Sequence, residues 1–338
     1  MTKMYKLLFL SILMMSTMIS VSAYSWLGMW IGLEINLMSI IPIIHEKSIL
    51  SSEASIKYFI TQAIASTIIM MTIIMMMWKS NFLSLVNFDS IMLMIMNSSL
   101  MLKLGMAPLH FWFPELLEGL NWNNCLLMLT WRKITAMVLI MYNTEYNLFM
   151  STVIISSMII SGLMSMNQVS IRKIMAYSSI NHMGWMLSSM IIEKSIWMIY
   201  FIIYSMITIN NTLMMKIIFY LNQLFPNISI SPSMKLFFML NFISLSGMPP
   251  ILGFLPKWLT IQSMILNNMY LLSIIMILFT LIMIYVYMRI AMTTLILVSS
   301  QMNWTLKINL KINKMSISMM NFFSMTSLII VTVGFNLS

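Results

Sequence analysis

A few ionisable residues interrupt long apolar runs. Glu34 stands in SWLGMWIGLEINLMSI (25–40), Lys103 just before LGMAPLHFWFPELLEGLNW (104–122), and Lys133 in LTWRKI (129–134). His182 stands in NQVSIRKIMAYSSINHMGWML (167–187) and Lys257 in LSGMPPILGFLPKWL (245–259). Withdrawal from water disfavours the charged form of an ionisable group. A lysine so placed can take and release a proton near neutral pH, whereas an arginine keeps its own, and histidine titrates near neutrality unaided. The chemistry these residues suggest is proton carriage. The competing reading is a buried Glu–Lys pair that only fixes helix packing, or lysine stems that reach back to the membrane surface. Around His182, the neighbours Ser178, Ser179 and Asn181 fit a hydrogen-bonded water chain toward Lys133 or a satisfied polar packing knot. His110, Glu115 and Glu118 read as solvated groups near an interface, His45 as a loop residue, and Arg132 as one that snorkels or binds lipid.

The elements that position these groups follow from composition. Apolar residues make up 60% of the 338 and charged residues 8%, against roughly 25% charged in a soluble domain. Such a chain could not hide its hydrocarbon from water, but in a bilayer its surface matches the solvent. The net charge of +10 is spread singly over helix ends, with no basic stripe or aromatic platform, so nucleic-acid binding is excluded. One cysteine, Cys125, excludes an internal disulfide, a cysteine metal site and an iron–sulfur cluster held by this chain alone. Three scattered histidines are too few for two haems held by paired histidines.

Apolar runs of about 20 residues read as membrane spans. Eleven are expected, near 7–23, 25–44, 56–78, 84–106, 123–142, 147–166, 172–191, 196–219, 236–265, 269–297 and 318–335. The first, preceded by Lys3 and Lys6, reads as a permanent anchor rather than a cleaved signal. An odd number of spans puts the termini on opposite sides. Of the 18 Lys and Arg residues, Lys103, Arg132, Lys133 and Lys257 fall at membrane depth and Lys79 and Lys194 on one side; the remaining twelve share the side of the N-terminus. That side is the one that retains positive charge.

Two segments resemble each other. Aligned, Gly105-Met106 meets Gly247-Met248, Pro108 meets Pro250 and Pro114 meets Pro256. Proline removes a backbone donor and clashes with the preceding turn, so both segments are expected to break their helices, near 104–114 and 247–256. They lie on the fourth and ninth spans, and an odd offset inverts one half relative to the other. Inverted halves with broken helices are a transporter plan; chance likeness of Gly/Pro kinks is the alternative. The chain then reads as one membrane domain, with a first half at about 7–142, a second at about 147–297, and a polar loop with a C-terminal helix at 298–338.

Met occurs 46 times, and Ile, Asn, Phe, Lys and Tyr are also abundant. These residues have AT-rich codons, and a genetic code that reads a second AT-rich codon as Met would raise Met with them. Mitochondrial codes do so.

In the stretches quoted above, together with EASIKYFITQ (53–62), the chain resembles the antiporter-like membrane subunits of respiratory complex I, NADH:ubiquinone oxidoreductase. The resemblance runs from the second span to the ninth, and beyond it only hydropathy matches. It implies two inverted five-helix bundles, each with one broken helix. It assigns a buried carboxylate to Glu34, a paired lysine to Lys103, a central lysine to Lys133 and a terminal lysine to Lys257. It implies proton translocation driven by distant electron transfer, with FMN, iron–sulfur clusters and ubiquinone on partner subunits and no cofactor on this chain. The expected neighbours are a small carboxylate-bearing membrane subunit, another antiporter-like subunit, and lipids including cardiolipin. The location implied is the mitochondrial inner membrane, N-terminus in the matrix and C-terminus in the intermembrane space. Arg132 departs from the pattern, which leads one to expect an uncharged polar residue beside the central lysine. A free-standing cation/proton antiporter of the same fold, or a purely structural membrane subunit, remains the competing reading.

Overall fold

Backbone amides find no water inside a bilayer, so an apolar chain must satisfy them within itself, and helices do so segment by segment. The computed structural model describes residues 2–46, 48–80, 88–143, 147–215, 232–249 and 251–296. Among them all regular structure is helical: α1 (Thr2–Ser22), α2 (Trp26–Ile44), α3 (Ile49–Ser80), α4 (Phe88–Leu104), α5 (Trp112–Gly119), α6 (Trp122–Leu129), α7 (Trp131–Met141), α8 (Asn147–Met166), α9 (Ile171–Ile192), α10 (Lys194–Met215), α11 (Pro232–Ser246), α12 (Phe254–Leu266) and α13 (Tyr270–Ile296).

Seven stretches among the described residues are long and apolar enough to cross a membrane: Met4–Ser22, Trp26–Ile44, Ile49–Trp78, Trp122–Met141, Leu148–Met166, Lys194–Met215 and Tyr270–Met292. Residues Leu7, Met18, Leu148, Leu271 and Leu281 are exposed, while Lys133, Arg132, Asn97 and Ser161 are buried. That inverts the pattern of a water-soluble protein and fits a polytopic membrane protein. Shorter apolar helices at Ser90–Leu104 and Leu236–Ser246 stop where glycines follow. The span expected at 318–335, and with it Lys47, Pro250 and the polar loop from 298, lies outside the described residues.

Two differences from the sequence reading are local. The third helix starts at Ile49 rather than near 56, because Ser48, Ser51 and the Glu46 backbone form a hydrogen-bonded turn that launches it early. The fifth expected span is two helices, α6 and α7, with Thr130 at φ −114°, ψ −76° between them. The Thr130 hydroxyl donates to Leu126 O at 2.8 Å, a back-bond that bends helices.

The chain forms two compact units, 1–156 and 157–338, so α8 contributes to both. In the first, α1 lies along α2, α2 against α3, α3 against α4 and α5, and α4 against α7. In the second, α9 packs on α10 and α12, and α11 on α10 and α13. Helix α9 is polar yet buried for most of its length. It tolerates this because Ser178, Ser179, Ser188 and Ser189 each donate to a carbonyl three residues back, at 2.7–2.8 Å.

Both Gly/Pro segments interrupt helices. Gly105 and Gly247 have φ 74°, the left-handed region that side chains avoid. An added Cβ on Gly105 would also lie 2.9 Å from Phe113 Cβ, too close for any real contact. Gly105→Ala should therefore reduce accumulation of the protein in membranes, the backbone strain alone costing about 1–2 kcal/mol. Gly162→Ala, whose Cβ meets nothing nearer than 3.5 Å, should accumulate normally. Quantification of both variants by immunoblot checks this, and equal accumulation would contradict it.

Candidate functional site

Helix α4 ends in a turn dictated by Gly105. The Gly105 N–H donates to Leu102 O at 3.1 Å and the Met106 N–H to Met101 O at 3.1 Å. That is the double hydrogen bond of a left-handed helix cap. It leaves the carbonyl of Lys103 without a backbone donor, since the chain turns away. Arg132 supplies one: its Nη2 donates to Lys103 O at 2.7 Å. Its guanidinium lies between two aromatic faces, 4.6 Å from the Tyr58 ring centre and 4.7 Å from that of Trp112. Arg132 is 8% exposed. The snorkelling or lipid-binding role expected for it is therefore wrong. Arginine is tolerated here because the guanidinium is weakly hydrated and stacks on rings.

The Lys103 side chain is buried and shares a cavity of about 20 Å³ with Asn36, Tyr58, Gln62, Arg132 and Thr135. A water needs roughly 10–15 Å³ by the same measure. Asn36 Oδ1 and Gln62 Nε2 are buried without a hydrogen-bond partner, and each suits such a water. Glu34, on α2, is half-buried. Its Oε1 makes no hydrogen bond, yet its charge acts on Lys103 and on Tyr58. The carboxylate thus acts across a gap rather than through contact. Lys133 follows Arg132 on α7, one turn past the Thr130 bend, with 2% of its surface exposed. Its ammonium sits 5.6 Å from the Phe113 ring centre, and the Arg132 charge acts on it. In the first unit Arg132 thus acts on the two buried lysines, Lys103 and Lys133, and half-buried Glu34 acts on Lys103.

In the second unit, α11 ends at Ser246, and Lys257 on α12 donates its Nζ to Ser246 O at 2.7 Å. The Lys257 side chain lies in the space a Gly247 side chain would take, with Cδ 2.8 Å from that Cβ position. Its ammonium is 5.9 Å from the Trp185 ring centre. His182, one turn before Trp185 on α9, is buried and its Nδ1 lies 2.9 Å from the Tyr200 hydroxyl.

Other expected residues fall elsewhere. His45 is an exposed cap of α2, and Glu115 is 55% exposed in an ion pair with Lys57 at 2.8 Å. Glu118 is half-buried at the end of α5. His110 corrects another expectation: it is 1% exposed rather than solvated, its Nδ1 3.2 Å from Pro108 O, its side chain turned inward while Leu109 and Phe111 beside it are exposed. Asn36, Tyr58, Gln62 and Tyr200 were not singled out from sequence, although a polar atom inside an apolar run marks each.

The family described as NADH:quinone oxidoreductase/Mrp antiporter, TM, matches residues 23–284. A chain from Anopheles gambiae named NADH-ubiquinone oxidoreductase chain 2 is 45% identical, with 98% of each chain covered. Its namesake from Locusta migratoria is 43% identical, covering 93% of this chain and 92% of that one. The chain belongs to the NADH-ubiquinone oxidoreductase chain 2 family. Its fold is similar to a chain of respiratory complex I from Thermus thermophilus with bound aureothin, with a TM-score of 0.85 at 18% identity over 96% of this chain and 78% of that one. It is also similar to a chain of an Mrp complex from a Dietzia species, with a TM-score of 0.73 at 13% identity over 83% of this chain and 59% of that one.

Removing the Arg132 guanidinium should expose how much it holds. Arg132→Ala loses a charged hydrogen bond of about 2 kcal/mol and leaves Lys103 O without its donor. The purified protein should melt at a lower temperature than the parent in a thermal-shift measurement. Unchanged melting would mean the stacked guanidinium contributes nothing.

Proposed function

We propose that this member of the chain 2 family is the proton-translocating, antiporter-like membrane subunit of an NADH:ubiquinone oxidoreductase, coupling electron transfer elsewhere in the complex to proton movement through Glu34, Lys103, Lys133, His182 and Lys257. The observation that carries this is a chain of charges at membrane depth, in which Glu34 acts on Lys103, Arg132 acts on both buried lysines, and Lys103 borders a cavity sized for water. A charge at the bilayer centre costs roughly 2.5–3.5 kcal/mol even on a lenient scale, so three together need a purpose. The names and coverage of the relatives support the same reading.

In this mechanism Glu34 favours a proton on Lys103, and that charge then discourages one on Lys133. Two positive charges roughly 8 Å apart repel by about 2 kcal/mol at an effective dielectric of about 20, which changes occupancy about thirtyfold. Arg132 adds a constant repulsion, so Lys103 is poised to lose its proton when the Glu34 charge is withdrawn, and Lys133 then to take one. His182 and Lys257 continue the path in the second half.

The finer architecture belongs to the same proposal. Eleven spans, two inverted halves, the N-terminus in the mitochondrial matrix and the C-terminus in the intermembrane space accord with the loop charges and the matched proline spacing. The glycines with φ 74° that end α4 and α11 support the inverted halves. FMN, iron–sulfur clusters and ubiquinone would reside on partner subunits. The flanking partners would be a small carboxylate-bearing membrane subunit and another antiporter-like subunit, with cardiolipin around them. The likeness to the Mrp complex chain favours a second reading, a cation/proton antiporter that works without NADH.

One experiment separates the two. The native assembly containing this chain is purified through a tag and reconstituted into vesicles. NADH and a quinone should drive proton transport, while a sodium or potassium gradient alone should not. Transport driven by the cation gradient and indifferent to NADH would overturn the proposal.

A further inference from the structure

His182 stands within a cluster of hydroxyl groups that the mechanism above does not use. Tyr200 on α10, Tyr204 on α10 and Tyr287 on α13 are each 1–2% exposed, and Ser178 and Ser179 on α9 are equally buried. The Tyr200 hydroxyl is 2.9 Å from His182 Nδ1. The Tyr204 ring centre is 5.1 Å from that of His182, and its hydroxyl faces Ser179. The Tyr287 hydroxyl faces Ser178 without a well-formed hydrogen bond. Three phenols, an imidazole and two serines thus share one buried spot between α9, α10 and α13.

Packing alone does not call for this. Burying a hydroxyl costs free energy unless it is hydrogen-bonded, and Phe would fill the same volume without a polar atom to satisfy. The serines need no phenol, because both already donate to their own helix. What a phenol adds is an oxygen that accepts a proton on one side while donating its own on the other.

We infer that Tyr200 is a proton-relaying residue, the direct exchange partner of His182. The inference rests on the proposed proton-translocating role and deepens it. The step changes only N–H and O–H bonds: His182 Nδ1 gives its proton to the phenol oxygen as the phenol's own proton leaves for the next hydroxyl or water. One positive charge moves, no electron moves, and the phenol ends neutral. Tyr204 and Tyr287 lie close enough to Tyr200 to act on it electrostatically. The bond to Nδ1 also fixes the imidazole ring, so its Nε2 faces a constant neighbour.

Tyr200→Phe tests this, because it keeps the ring and removes one oxygen. The complex carrying it is reconstituted into vesicles, and assembly, NADH oxidation by a soluble electron acceptor, and NADH-driven proton uptake are measured. Assembly and soluble-acceptor activity should match the parent. Coupled turnover should fall about tenfold, equal to about 1.4 kcal/mol, the size of one net hydrogen bond. Added to His182→Gln, the change should have no further effect on coupled turnover. Normal coupled turnover in Tyr200→Phe, or independent losses in the double variant, overturns the inference and leaves the broader function standing, provided that parent vesicles pump on NADH. Parent vesicles that fail to pump would instead remove the broader function and this inference with it. Should Tyr200→Phe fail to assemble, Tyr200→His, which keeps a ring and a proton-exchanging atom, should restore both assembly and pumping. A Tyr200→His complex that assembles without pumping overturns the relay.

Discussion

Inside a bilayer a polar atom without a partner has no water to turn to, and that constraint organises the whole molecule. Along regular helices it is met locally, as when serines donate to carbonyls of the preceding turn. It cannot be met locally where a helix stops at membrane depth. At the ends of α4 and α11 a carbonyl is left over, and a cation closes each: Arg132 on Lys103 O and Lys257 on Ser246 O, both at 2.7 Å. Cations also suit helix C-termini because the backbone dipoles leave partial negative charge there.

The two closures differ in chemistry. An arginine cannot surrender its charge, so the end of α4 is held permanently. A lysine can, so the hold on α11 weakens when Lys257 gives up its proton. Under the proposed function, the same constraint that makes a broken helix costly links, in the second unit, the protonation state of Lys257 to the backbone it caps. On that proposal the capping and carrying roles in the first unit are divided between neighbours, Arg132 and Lys133, on one helix. Broken backbone is tolerated at such depth only where it lines protein or a water-filled cavity, and beside Lys103 at the end of α4 lies a cavity with room for one water.

Much of this was legible in the sequence. Composition gave the membrane class, because no soluble surface could carry so much hydrocarbon, and the prolines and glycines at 105–114 and 247–256 marked where helices stop. The titratable residues stood out as single charges in apolar runs. The partners of those charges were hidden, since they depend on which helix faces which. Arg132 read as a residue that snorkels or binds lipid, whereas Tyr58 and Trp112, distant in sequence, close around it. His110 read as solvated because its loop looked like an exit from the membrane, whereas its own ring is buried between the exposed Leu109 and Phe111. The bend at Thr130 accompanies a side-chain bond added to the helix bond on Leu126 O, and hydropathy does not register it.

The central claim is that buried charge here moves rather than merely holds. The proton-to-electron ratio of the reconstituted complex carrying Lys133→Met tests it most directly. The account expects a complex that assembles but moves fewer protons per NADH and reduces quinone more slowly, with Lys133→Arg failing as well because arginine retains its proton. A Lys133→Met complex that assembles and pumps at the parental ratio would contradict it and leave Lys133 as packing.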